Sequence, residues 1–237
     1  MPIQVVILAA GLGTRLGKPF PKPLTQLTSG ESIMRRAVDA LRRAYGEEVY
    51  VTAVVGFKLD LVIEAMPDIG FVYNEVYDST NTSKSLLKAL QLSQPGGVLW
   101  MNGDVVFDLR VLELIHDKIE AGKSFVAVNT DSVAEEEVKY TLDAEGYIAE
   151  LSKTVIGGLG EAVGINFVSE QDKKALIARL EEAEDNDYFE RGLELAIEKD
   201  GLRIEAVDIS AYQIVEVDFE EDLTRANSNI AGETPVS

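Results

Sequence analysis

Short, continuously apolar segments alternate with helical segments along the first half of the chain. The runs IQVVIL and VYVTAVV are rich in β-branched residues, as expected of strands that are covered on both faces. Between them, apolar residues recur at helical spacing in ESIMRRAVDALRRAYG, and Gly46 is a helix-stop signal. The pattern therefore predicts a βαβ unit built on a parallel sheet.

The same alternation continues through the next 80 residues or so. Further strands are predicted at FVYN, GVLWMN and SFVAVN, and helices at about 58–66, 83–92 and 109–121. This order predicts a Rossmann-like, doubly wound α/β fold with helices on both faces of the sheet.

The pattern changes in the second half of the chain. VKYTLDAEGYIAEL predicts a β-hairpin that turns at Ala144-Glu145-Gly146, which would be a small insertion into a mixed, mostly parallel sheet. The remaining predicted elements are a strand at AVGINFVS, helices at 170–184 and about 187–199, strands at 203–208 and YQIVEV, and a last helix at FEEDLTRAN.

Length and composition predict one domain. A chain of 237 residues with 46% hydrophobic content can bury a sizeable core, and we expect a single domain over 1–227 with a disordered tail at 228–237. The absence of cysteine excludes disulfides and thiolate metal sites. No basic leader and no apolar run of roughly 20 residues is found, so a cytoplasmic protein without a membrane span is expected.

The charge is strongly negative but unevenly distributed. A net charge of −19 argues against nucleic acid as the main partner, because phosphate backbones are bound by basic surfaces. Residues 1–43, however, carry seven basic and two acidic side chains, a net charge of +5. A basic region in an acidic protein favours a small anion as the ligand.

The basic region contains the segment LAAGLGTRLGKPFPKPL, residues 8–24, directly after the first predicted strand. Gly11 and Gly13 would allow positive φ angles and bring backbone N–H groups close to an anion. Arg15 offers a bidentate fork and Lys22 a point charge. Neither a dinucleotide-binding G-x-G-x-x-G motif nor a Walker loop is complete here. The segment predicts a phosphate-binding loop of another kind.

Two aspartates far apart in the sequence follow predicted strands. Asp104 comes after GVLWMNG and Asp218 after YQIVEV, so both carboxylates should lie at the carboxyl edge of the sheet. Such a pair suits Mg²⁺ that also binds substrate phosphates. Asp218 could alternatively cap the last helix. The neighbouring acids are expected to be solvated or to cap helices: Asp108, Glu216, Glu220, Glu221 and Asp222.

At these residues the chain resembles the sugar-nucleotide type of nucleotidyltransferase, the pyrophosphorylase superfamily. The resemblance implies that Lys22 and Arg15 are catalytic, that Asp104 and Asp218 hold Mg²⁺, and that the loop wraps a nucleoside triphosphate. The nucleotide-binding positions implied are Leu8, Ala9, Ala10, Gly11, Gly13, Thr14, Arg15, Lys22 and Gly103.

YNEVYDSTNTSKSLLKAL, residues 73–90, resembles the cytidylyltransferase branch typified by phosphocholine cytidylyltransferases. The resemblance makes Asn81 and Ser85 nucleotide-binding candidates. The alternative is an ordinary turn in which Ser83 caps a helix.

The second substrate, the acceptor, is implied to lie under the hairpin. By resemblance, Lys153 would contact its phosphate and Glu161 would face it. The aromatic and carboxylate side chains of Tyr188, Phe189 and Glu190 could hold an ammonium group through cation–π and ionic contacts. At helical spacing, the residues of DNDYFERGLELAI could equally be core packing and surface charge.

Three functions are consistent with the sequence. The first is Mg²⁺-dependent transfer of CMP from CTP to a phosphocholine, aminoethylphosphonate or inositol-phosphate type of acceptor, with release of pyrophosphate. The second is a hexose-1-phosphate nucleotidyltransferase that uses UTP, dTTP or GTP. The third is a regulatory or binding homologue without activity. The oligomeric state stays open, a homodimer included.

Overall fold

A computed structural model of the protein describes residues 2–47, 49–131, 133 and 136–231, with the side chain of Thr14 outside that description. The strands are β1 (Gln4–Ala9), β2 (Tyr50–Val55), β3 (Gly70–Tyr73), β4 (Val98–Asn102), β5 (Val105–Phe107), β6 (Phe125–Asn129), β7 (Lys139–Leu142), β8 (Ile148–Ser152), β9 (Glu161–Val168), β10 (Glu205–Asp208) and β11 (Ile214–Glu216). The helices are α1 (Ile33–Tyr45), α2 (Leu59–Ala65), α3 (Thr82–Leu92), α4 (Arg110–Glu120), α5 (Glu170–Glu182), α6 (Phe189–Asp200) and α7 (Glu220–Ala231).

The main sheet is mixed and mostly parallel. Its strands lie in the order β10-β6-β9-β4-β1-β2-β3, and β1 pairs in parallel with both β2 and β4. Only β9 runs antiparallel within this order, between β4 and β6. Helices cover both faces, which confirms the predicted Rossmann-like α/β fold class. The predicted hairpin is β7–β8, and β7 joins the sheet through β9.

The strands separate two hydrophobic cores because successive side chains of a strand point to opposite faces. In β1, Val5 and Ile7 pack into the core under α1, α2 and α4, whereas Val6 and Leu8 pack into the core under α3, α5 and α6. The burial of both faces explains why the sequence of β1 shows no polar alternation. In the second core, Trp100 contacts Phe189 edge-to-face at 5.6 Å between ring centroids.

A second, two-stranded sheet was not predicted. β5 and β11 pair antiparallel, with Val105 opposite Glu216, and the N–H of Val217 donates to the Asp104 carbonyl at 3.0 Å. This pairing brings the chain after β4 beside the chain before α7. The three-residue β5 was missed because it follows β4 after only two residues and has no turn signal of its own.

The C-terminal helix is longer than predicted. α7 ends at Ala231, so residues 228–231 are helical and their assignment to a disordered tail was wrong. The rest of that tail, 232–237, lies outside the described residues, and the single-domain prediction for 1–227 stays a prediction. No helix in the described part of the chain has the length and apolarity needed to cross a membrane.

Candidate active site

The loop after β1 passes through two short 3-10 turns, Thr14–Leu16 and Lys22–Leu24. Gly13 has a φ of 59°, and a Cβ there would lie 3.1 Å from the Cβ of Lys22, so a larger residue would be both strained and crowded. The prediction of a positive φ was wrong for Gly11, whose missing Cβ faces open space. The close approach of Gly13 allows the loop to fold back so that Lys22 returns to the sheet edge.

Lys22 lies between the two predicted metal-binding aspartates. Its Nζ donates to Asp104 Oδ2 at 2.7 Å and to Asp218 Oδ1 at 2.5 Å, and all three side chains are largely buried. Arg15, which is more exposed, donates to the other Asp218 oxygen at 3.1 Å. Because both carboxylates contact one nitrogen, they are close enough to share a single cation.

Electrostatics favour the charged forms of Lys22 and Asp218. Burial acts to lower the pKa of Lys22, but the charges and hydrogen bonds of Asp104 and Asp218 outweigh it and raise that pKa. Burial likewise acts to raise the pKa of Asp218, but Lys22 and Arg15 lower it overall. The Asp218 carboxylate accepts from Lys22 and Arg15, whereas at the start of α7 Asp222 accepts the backbone N–H groups of Asp218 and Phe219.

The two aspartates fit a magnesium site of the substrate-assisted kind. Among the described residues, no group of three or more His, Asp or Glu side chains is arranged to hold a metal ion. Mg²⁺, however, commonly binds through one or two carboxylates together with substrate phosphates and water. Asp104 Oδ1 is buried and has no hydrogen-bond partner, so one carboxylate oxygen is left to accept a ligand.

Two adjoining compartments open around Lys22. The first, of about 210 Å³, lies between the β1 loop and the start of α6, and the second, of about 470 Å³, extends toward Asp218. The predicted nucleotide-binding residues Leu8 to Gly11 line the first compartment. The polar side chains that line both compartments are Lys22, Glu137, Lys153, Tyr188 and Glu216.

The predicted acceptor residues are distributed around this junction. Lys153 lies over the Tyr188 ring, with Nζ 4.7 Å from the centroid, and both line the two compartments. Glu161 lines the second compartment and Glu190 the first. Phe189 packs into the core and also lines the first compartment. The start of α6 therefore contributes both to the compartments, through Tyr188 and Glu190, and to the core, through Phe189, because consecutive residues point in different directions.

Two carboxylates at the junction were not predicted. Glu216 was expected to be solvated or to cap a helix, which was wrong: it is half-buried, lies 3.4 Å from Asn102 Nδ2, and lines both compartments. Burial, together with the charges of nearby acids, raises its pKa to about 8. Burial and the charge of Glu161 also raise the pKa of Glu137. For Glu216 a signal existed, since its carboxylate interrupts the apolar run IVEV.

Three predicted nucleotide-binding residues lie around the two compartments and contact other parts of the protein. Asn81 Oδ1 accepts the N–H of Thr82 at the start of α3, and Ser85 Oγ accepts from Asn74 at 3.0 Å. A Cβ on Gly103 would lie 2.7 Å from the Leu8 carbonyl oxygen, so glycine is required for packing against β1. Thr82, not predicted, lines the first compartment. The predicted contacts of Asn81, Ser85 and Gly103 with a nucleotide stay predictions.

Glu190 gives rise to a pH-dependent stability. Its Oε2 is buried without a hydrogen-bond partner, and burial raises the pKa of the carboxyl group from 4.5 to about 7. The folded state therefore retains a proton that the unfolded state loses as pH rises from 4.5 to 7, and the free energy of unfolding falls across this window.

Replacing Glu190 with glutamine is expected to raise the free energy of unfolding at pH 8 by roughly 1–3 kcal/mol and to change it little at pH 4.5. Denaturant unfolding at both pH values measures this difference. Glu198→Gln, on the exposed end of α6, is the control and should have no such pH-dependent effect. An equal shift of the Glu190 variant at both pH values would contradict the prediction.

Comparisons with known proteins identify related sequences. A CMP-5'-(3-aminopropyl)phosphonate synthase from Streptomyces rubellomurinus (strain ATCC 31215) is 35% identical over 130 residues, covering 51% of this chain and 20% of the relative. The chain thus matches about a fifth of that relative's length.

Solved structures share the fold over nearly the whole chain. The inositol-1-phosphate CTP transferase from T. maritima has a TM-score of 0.77 at 15% identity, covering 99% of this chain and 98% of its own. A chain provisionally assigned as a glucose-1-phosphate thymidylyltransferase from Bacillus anthracis, in complex with a sucrose, has a TM-score of 0.76 at 16% identity with the same coverage.

The sequence profile described as the MobA-like NTP transferase domain matches residues 5–185, which include the β1 loop, Lys22 and Asp104. The match covers most of the chain and agrees with the resemblance to nucleotidyltransferases that the β1 loop indicates. The chain therefore belongs to the family of MobA-like NTP transferase domains.

Proposed function

We propose that the chain transfers CMP from CTP to a small phosphate or phosphonate acceptor and releases pyrophosphate. The observation that supports this most strongly is the position of Lys22, held by Asp104 and Asp218 where the two compartments meet. Transfer between two bound substrates requires their reacting atoms to lie side by side, with cationic groups beside the phosphorus that accumulates charge.

In the proposed reaction, an oxygen of the acceptor phosphate attacks the α-phosphorus of the nucleotide in line. The bond from that phosphorus to the bridging oxygen breaks, and pyrophosphate leaves with the electron pair. No protein nucleophile is needed, because the acceptor is already ionised. Lys22 and Arg15 transfer their hydrogen bonds from carboxylates to phosphate oxygens, and the loop amides position the triphosphate. Asp104 and Asp218 would hold Mg²⁺, which neutralises phosphate charge when bound.

The charge around the junction supports an acceptor that carries a cation. The carboxylates of Glu137, Glu190 and Glu216 line the first compartment, where Lys22 and Lys153 are the cationic side chains. Burial raises the pKa of each of these three acids, so their ionised forms need a positive charge beside them. An aminoalkyl phosphonate or phosphocholine supplies that charge, with its anionic end near Lys153 and its ammonium near the carboxylates and the Tyr188 ring.

The alternative is a hexose-1-phosphate nucleotidyltransferase that uses UTP, dTTP or GTP. The shared fold with the Bacillus anthracis chain supports this alternative. The preference for CTP is supported by the similarity to the Streptomyces rubellomurinus relative, whose product carries CMP, and to the T. maritima CTP transferase. An inactive homologue is disfavoured because Lys22, Asp104 and Asp218 are all present and in mutual contact.

A pyrophosphate-release assay with Mg²⁺ tests the proposal. CTP, UTP, dTTP and GTP are each combined with 2-aminoethylphosphonate, phosphocholine, inositol 1-phosphate and glucose 1-phosphate. The fastest release is expected with CTP and an ammonium-bearing acceptor. A strict preference for another base, or for glucose 1-phosphate, would support the alternative, and no release with any pair would indicate an inactive homologue.

A further inference from the structure

Lys58 has an unusual backbone conformation. Its φ is 46° and its ψ is 47°, and among the residues that the structure describes it is the only one other than glycine with a positive φ. A side chain with a Cβ is strained in this left-handed region, and such strain often marks a functional position. The residue lies three positions after the end of β2 and immediately before the first residue of α2.

The strained conformation directs the lysine toward the β1 loop. Lys58 Nζ donates a hydrogen bond to the carbonyl oxygen of Pro19, and it also lies 5.4 Å from the centroid of the Phe57 ring. Pro19 precedes Lys22 by three residues. The contact therefore joins the end of β2 to the part of the loop that carries Lys22.

The same turn also contacts the beginning of the loop. The N–H of Phe57 donates to the Ala10 carbonyl at 3.1 Å. Gly56 packs so closely that a Cβ there would lie 2.7 Å from the Ala10 oxygen and 2.5 Å from Tyr77 Cβ. The turn after β2 thus holds the loop at Ala10, through the backbone, and at Pro19, through Lys58.

We propose that Lys58 is a positioning residue for nucleotide binding: its ammonium holds the segment from Pro19 to Lys22 in the conformation that places Lys22 at the junction of the compartments. Pro21 and Pro23 restrict the backbone on either side of Lys22, so fixing the Pro19 carbonyl limits where the Lys22 side chain can reach. The inference rests on the proposed function, because it gives the loop the role of binding a triphosphate.

The test compares three variants of Lys58 in the full chain. Lys58→Met removes the ammonium and is expected to lower kcat/KM for the nucleotide about tenfold, the scale of one lost hydrogen bond, with KM for the acceptor unchanged. Lys58→Arg keeps a cationic donor and should stay within about threefold of the wild type. Lys58→Gly should show the same loss as methionine without a lower melting temperature, because glycine relieves the backbone strain. Lys174→Met, an exposed lysine on α5, is the control.

Two results would overturn the inference. One is an unchanged kcat/KM in Lys58→Met, which would show that the ammonium is not used. The other is a melting temperature that falls in proportion to activity across the variants, which would indicate a purely structural role.

Calorimetric titration of CTP without an acceptor separates this inference from the proposed function. If the wild type releases no pyrophosphate with any acceptor but CTP binds about tenfold more weakly to Lys58→Met, the positioning role stands and the proposed reaction fails. If wild type and Lys58→Met bind CTP equally and both turn over, the positioning role fails alone. If CTP and the other triphosphates do not bind the wild type, both fail.

Discussion

Replacing Lys22 with methionine is expected to lower the turnover number by about 10²–10³-fold, the scale observed when a preorganised electrostatic donor is removed from a reacting centre. Methionine keeps much of the length of the side chain but removes the charge that lies between Asp104 and Asp218. Pyrophosphate release at saturating CTP, Mg²⁺ and acceptor is the measurement. Near-normal turnover would remove Lys22 from the mechanism.

The matched control is Lys18→Met. Lys18 belongs to the same loop, but its ammonium pairs with Glu220 outside the two compartments. Its loss should change turnover by less than about threefold, because an exposed ion pair contributes little. Equal losses in the two variants would indicate that the general basicity of the loop matters and that the position of Lys22 does not.

Replacing Asp104 or Asp218 with asparagine is expected to lower Mg²⁺-dependent turnover by at least about 10²-fold. Loss of a residue that only hydrogen-bonds to a metal ligand already lowers metal affinity or activity by about 10–100-fold. Asparagine keeps the shape of the side chain but removes the negative charge that attracts the ion. The apparent affinity for Mg²⁺, obtained by titrating the metal at fixed CTP, should fall in both Asp104→Asn and Asp218→Asn.

Binding of Mn²⁺ to the complex with a non-hydrolysable CTP analogue, followed by electron paramagnetic resonance, gives a readout that does not depend on turnover. Each variant should bind Mn²⁺ more weakly than the wild type. Glu220→Gln, two residues after Asp218 but directed to Lys18, is the control. Unchanged Mn²⁺ binding in both aspartate variants would contradict the assignment of a metal to this pair.

The fold was largely predictable because local patterns and tertiary structure agree in the sheet. The continuous apolar runs of β1 and β4 reflect burial on both faces, and Gly46 ends α1 with a φ of 85° as its stop signal indicates. The antiparallel insertion of β9 between β4 and β6 has no local signal. A strand's direction depends on the path of the whole chain, which a short sequence window does not contain.

For the site, the residues close to one another in sequence were the easiest to find. The segment from Leu8 to Leu24 contains Gly13, Arg15 and Lys22, and the strand ends before Asp104 and Asp218 placed both carboxylates at the correct edge. Asn81 and Ser85 were harder to interpret from the sequence. Their sequence context favours both a helix start and a ligand contact. In the structure Asn81 caps the start of α3, and Ser85 accepts a hydrogen bond from the side chain of Asn74.

Hydrophobic periodicity and the composition of the β1 loop were sufficient to predict the α/β class and the closeness of Asp104 and Asp218, whereas the phosphate-binding role of the loop stays a prediction. The junction around Lys22 depends on contacts between distant segments: the pairing of β5 with β11, the return of the hairpin to β9, and the start of α6. These contacts gather Glu137, Glu190 and Glu216 into one buried region. Burial and mutual charge, which set the pKa values of these acids, arise only when the segments pack together, so no single stretch of sequence reveals them.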